Sequence, residues 1–118
     1  MLALLEWRIR LLCVEYDYVL SDNVFSVWKI SGNRRALWIT FDLADLMFCK
    51  AYDTLSESEL ARMQRALFAC CNSSDPRLTL VEAKNVQIKK RVSDAAVLLE
   101  PNEEFVRAFH AALRRNGR

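Results

Sequence analysis

The chain has 118 residues, of which 53% are hydrophobic and 27% charged, with a formal net charge of +2. That length suits one compact domain spanning residues 1–118, and the composition excludes a disordered chain. With 2 Gly and 2 Pro, long irregular loops are excluded too, and so small a net charge does not by itself point to nucleic acid.

Met1–Leu5 is apolar, but Glu6, Arg8 and Arg10 interrupt it far short of a secretory core or a membrane span. The four cysteines, Cys13, Cys49, Cys70 and Cys71, show no Cys-x-x-Cys spacing, and each stands in an apolar run where a thiol behaves as a small hydrophobe. Reduced, mostly buried thiols and the missing targeting segment lead us to expect a cytoplasmic protein with no membrane attachment.

From Leu2 to Leu20 the residues fit a strand period and a helix period about equally. Tyr, Val and Cys in the second half favour a strand from about Trp7 to Tyr18, bent by a bulge at the phase slip Leu12–Cys13. Ser21-Asp22-Asn23 reads as a turn. Val24 to Leu43 then reads as a hairpin, two β-rich runs flanking a loop of five residues that contains Gly32 and Asn33. In the second run Leu37, Ile39, Phe41 and Leu43 alternate with Ala36, Trp38, Thr40 and Asp42, which predicts one apolar face and sends Trp38 to the other. A three-stranded meander thus opens the fold.

Asp42 can cap a short helix reaching about Tyr52, with Asp45 near its positive end. Ser56 and Glu59 form a capping box, and Leu60, Met63, Leu67, Cys70 and Cys71 continue at helical spacing up to the stop at Asn72–Pro76. Leu78–Ala83 and Asn85–Val92 read as two strands, and Ala95–Leu99 as a third strand or a helical turn. The last helix begins near Pro101, with Glu103 and Glu104 at its start, Arg114, Arg115 and Gly117 at its end, and a buried stripe of Phe105, Phe109, Ala112 and Leu113. Together these elements predict an α+β fold: an antiparallel or mixed sheet of about five strands packed against a single layer of two or three helices.

His110, the only histidine, has no acidic or histidine neighbour on its helical face and reads as a partly buried structural residue. No Gly-rich loop cradles a phosphate and no metal spacing occurs, so no cofactor and no catalytic set is expected, and a non-enzyme is favoured. The charges are segregated. Asp42, Asp45, Asp53, Glu57 and Glu59 face only Lys50 in their segment, while Lys84, Lys89, Lys90 and Arg91 precede the basic pair Arg114 and Arg115. The first expectation is therefore a protein-binding domain of the inhibitor type, in its concrete form a bacterial toxin-neutralising immunity protein. Its acidic segment would face a toxin's basic cleft, with Trp38 as aromatic anchor. The alternatives are a nucleic-acid-binding domain using the basic set, with Trp28 and Trp38 as stacking platforms, and a secretion chaperone-like dimer.

Overall fold

A computed structural model describes residues 4–11, 14–63, 65–70 and 78–117. Eight strands form one curled, mostly antiparallel sheet: β1 (Leu4–Leu11), β2 (Val14–Ser21), β3 (Val24–Ser31), β4 (Arg34–Asp42), β5 (Leu46–Ala51), β6 (Leu67–Ala69), β7 (Thr79–Ile88) and β8 (Arg91–Leu99). Two α-helices accompany them, α1 (Glu57–Met63) and α2 (Glu103–Gly117). The order is β1-β2-β3-β4-β7-β8-β6, with β5 on the N-terminal half of β7 and β6 running parallel to β8. The fold is α+β as expected, but the sheet is larger than five strands.

The opening meander has four strands, because the segment expected as one bent strand is the hairpin β1–β2, with Leu11 opposite Val14; the slip at Leu12–Cys13 lies outside the described residues. Asp22 and Asn23 turn β2 into β3 at φ +52° and +71°, values that Asp and Asn tolerate better than other side chains. Gly32, at φ +61°, shortens the β3–β4 connection to two residues.

Downstream, two expected helices give way to strand. Asp42 caps only a 3-10 turn, its Oδ1 accepting from the Ala44 amide at 2.8 Å, after which the chain becomes β5. Pairing with β7 lets β5 bury Leu46 and Cys49 in one core and lean Phe48 on another. The capping-box helix stops at Met63, and Leu67–Ala69 adds a strand beside β8; the expected stop at Asn72–Pro76 lies outside the described residues. The two strands expected at Leu78–Ala83 and Asn85–Val92 become one strand, β7, ending at Ile88, and the latter run also takes in the turn and the first residues of β8. Strand β7 carries an irregularity between Ala83 and Val86 where Asn85 takes φ +53° and donates its amide to Asp94 Oδ1 at 3.2 Å. Ala95–Leu99 belongs to β8.

The main core lies on one face of the sheet. Phe25 stands 5.2 Å from Phe109, 5.8 Å from Phe105 and 5.3 Å from Phe41 between ring centroids, so α2 is seated by aromatic contacts. The Tyr18 hydroxyl donates to the Ala69 carbonyl and accepts from the Glu100 amide, which pins β2 to the segment before α2. Asn102 Oδ1 caps α2 through the Phe105 amide, and Asn116 Nδ2 donates to the carbonyls of Leu43 and Leu46 at its far end. A second cluster, Cys70, Leu78, Leu80 and Leu98, packs with Phe48, Leu55 and Met63 on the opposite face. Leu80 and Val81 are both fully buried, so this half of the sheet is covered on both sides. The helices therefore lie on opposite faces rather than in a single layer.

Candidate protein-binding face

The meander strands β2, β3 and β4 are covered on their inner side by α2, and no described helix lies on their outer side. Along β3, Phe25 and Val27 point inward and are fully buried, which turns Ser26, Trp28 and Ile30 outward. On β4 the simple alternation fails. Val27 pairs with Ile39 but Trp28 pairs with Leu37, so Trp38 is one extra residue, a β-bulge. Ile39, Phe41 and Leu43 face the core as expected, whereas Leu37 stands outside beside Trp28 and is 40% exposed. Trp38, expected on the outer face, instead packs against the core with its ring 6.0 Å from Tyr16.

On the outer face Arg35 spans two strands. Its guanidinium carbon lies 4.0 Å from the centroid of the Trp28 ring, and its Nη2 donates to Asp17 Oδ2 at 3.2 Å. Asp17 sits opposite Trp28 and is wholly inaccessible to solvent, while the Arg35 side chain remains 45% exposed. The arginine is thus held over an indole by a buried carboxylate, at little remaining cost in side-chain entropy. Ser26 and Thr40 exchange a hydroxyl hydrogen bond at 3.1 Å in the middle of this face. Exposed Val24 and Asp42 form its far rim, where Asp42 Oδ1 also accepts from Asn23 Nδ2 at 3.0 Å.

Of the expected acidic set, only Asp42 borders this face. Asp45 is half-buried and lines a cleft with Lys84, Leu113 and Asn116. Asp53 follows the six residues of β5, about 20 Å further along. Glu57 begins α1 and is exposed. Glu59 is occupied: it accepts the Ser56 amide at 2.8 Å, pairs with Lys50 at 3.1 Å and lies 4.0 Å from Arg62, which itself reaches Glu82 at 3.0 Å. The Ser56 amide and then the Lys50 ammonium hold its carboxyl below the ordinary value. The structure does not gather these five carboxylates on one surface.

The basic set divides as well. Lys89 and Lys90 form the β7–β8 turn and Arg91 opens β8, whereas Arg115 donates to Asn23 Oδ1 at 3.4 Å at the opposite end of the meander, with Arg114 beside it in sequence. His110 is exposed rather than partly buried. It lines a groove of about 600 Å³ with Glu100, Glu103, Val106 and Arg107. Cys49 is a buried free thiol, pushed up to about 12 by its burial, which makes it a poor nucleophile at neutral pH. Among the described residues no group of three or more His, Cys, Asp or Glu side chains can hold a metal ion, and no helix is long and apolar enough to cross a membrane.

The Trp28–Arg35–Leu37 arrangement was missed at the sequence level because the bulge carries no signal: apolar alternation runs unbroken through Leu37, Ile39 and Phe41. Searches against family models, curated protein sequences and solved structures find no significant match for the chain.

Proposed function

We propose that the protein is a non-enzymatic binding domain that inhibits another protein by docking the outer face of β2–β4 onto it. The observation that carries this reading is Arg35 fixed across Trp28 with Leu37 exposed alongside. Trp and Arg in a preorganised cluster are the residue types that dominate interface energies, and an arginine already held in place loses little freedom on binding. An exposed sheet face suits a protein surface better than a small ligand, which needs a concave site. Exposed Asp22 and Asp42 at one rim favour a partner whose docking surface is basic there. A toxin-neutralising immunity protein, covering a toxin's basic cleft, is the concrete form of this reading. The buried free thiol of Cys49 suits the reducing cytoplasm in which such a protein would work.

The test is to recover the partner with the tagged protein, identify it, and measure the affinity of the reconstituted complex. Leu37→Asp and Arg35→Glu should each weaken it by roughly 100-fold or more, equivalent to about 2.7 kcal/mol, while Asp53→Lys and Glu57→Lys leave it within a few-fold. Indifference to Leu37→Asp and Arg35→Glu would overturn the assignment of this face. If light scattering instead finds a dimer that Leu37→Asp dissociates, the occupant is a second copy, as in a chaperone-like dimer, and the inhibitor reading falls.

A further inference from the structure

We propose that the other face of the same hairpin, around Trp38, binds single-stranded nucleic acid. Two connections converge there. Ile39 pairs with Ile88, and the Lys89 amide donates to the Trp38 carbonyl at 3.1 Å, so the β7–β8 turn is fastened to the bulge. Lys89 sits at φ +56° in that turn, and Lys89, Lys90 and Arg91 are all exposed. From β3, exposed Lys29 brings its Nζ to 5.4 Å from the centroid of the Trp38 ring, and exposed Arg34 begins β4 at the hairpin tip. Trp38 itself is only partly buried, and its ring leans on Tyr16. Ala36, opposite Lys29, is small and exposed.

A half-buried indole with the Lys29 ammonium over its ring and two more exposed lysines on the turn fastened to its backbone matches the chemistry of a base next to its phosphates. Stacking on an aromatic ring with cations tracking the backbone is the sequence-tolerant mode of single-strand binding. Ammonium groups act as point charges without bidentate readout, so little base preference follows. Duplex DNA is read by an element entering the major groove, and the charges here sit on turns and strand ends instead. The site draws on only part of the basic set suggested by sequence. Lys84 lies in the irregularity of β7 and shares a cleft with Asp45, while Arg115 is bonded to Asn23 at the far end of β3, about 25 Å from the hairpin tip.

Fluorescence anisotropy with a labelled oligothymidine, a mixed-sequence single strand and a duplex, across roughly 50 to 200 mM salt, tests the proposal. The single strands should bind and the duplex should bind more weakly. The triple variant Lys29→Ala, Lys89→Ala, Lys90→Ala should lose at least tenfold in affinity, and its log–log salt slope should flatten by about 2, as expected for three lost phosphate contacts. Lys84→Ala, Arg114→Ala, Arg115→Ala should stay within twofold of the parent protein. All six positions are exposed side chains, and matching thermal unfolding curves would establish that the folds are intact. The proposal is overturned by absence of binding at the lowest salt or by equal loss in the two triple variants. Binding of the duplex or of polyglutamate as tight as that of the single strand would overturn it equally, since the surface would then accept any polyanion. Loss of protein binding in Leu37→Asp with oligonucleotide binding retained would show the two faces to be independent.

Discussion

Arg35 lies across Trp28 with its guanidinium bonded to Asp17, on the next strand but one, at a place water does not reach. A charge-assisted hydrogen bond to a buried carboxylate contributes about 1.5–3 kcal/mol, and the half-exposed arginine places this one towards the low end. Arg35→Ala should therefore lower stability by about 1–2 kcal/mol in urea titration, and Arg35→Lys should recover only part of it because an ammonium cannot lie flat on the ring. A loss below about 0.5 kcal/mol would mean the bridge is decorative. None of this was legible in the sequence, where Arg34 and Arg35 fall in the five-residue loop expected between the two β-rich runs. The same holds for Trp38: a bulge changes which face a side chain takes without changing the apolar pattern around it. Phe41, Ile39 and Phe109, which obey the simple periods, were legible as core.

Turns and caps were the elements most readable from residue type, since they depend on local chemistry alone. Asn23, Gly32 and the Ser56–Glu59 capping box all do what their types predict. Strand β5 and strand β6 were unreadable for the opposite reason. Leu46–Ala51 and Leu67–Ala69 are short apolar runs compatible with either period, and it is pairing with β7 and β8, distant in sequence, that decides them. The capping box carries a pH dependence. With its carboxyl held below the ordinary 4.5, Glu59 contributes stability that is complete above that value and lost as pH falls through the lowered one. Glu59→Gln can still cap but cannot titrate or pair with Lys50. The stability gap between parent and variant should accordingly be largest near neutral pH and shrink as pH falls below the ordinary 4.5 and through the lowered value. A gap that stays constant from pH 7 to pH 3 would contradict the role given to this carboxylate.

At the scale of the whole molecule, the curled sheet separates its surfaces. One half of the sheet is sandwiched between α1 and α2 and is structural; the meander half is packed by α2 on the inside and by no described helix on the outside, where Trp28, Arg35 and Leu37 stand, with Trp38 and the lysines at an inner end. The charges visible in the sequence are regrouped in three dimensions. Asp22, Asp42 and Arg115 border the β2–β3 end, and Lys29, Lys89 and Lys90 gather at the other. Composition could not show this, because it arises from which turns the sheet order brings to the same end. The measurement that bears most directly on the account is the affinity of the reconstituted protein complex for two tryptophan variants of matched stability. Trp28→Ala should weaken binding by roughly 100-fold, the effect expected of a central aromatic anchor, and Trp38→Phe should leave it within a few-fold. The reverse result, with Trp38 essential to the complex and Trp28 dispensable, would contradict the account.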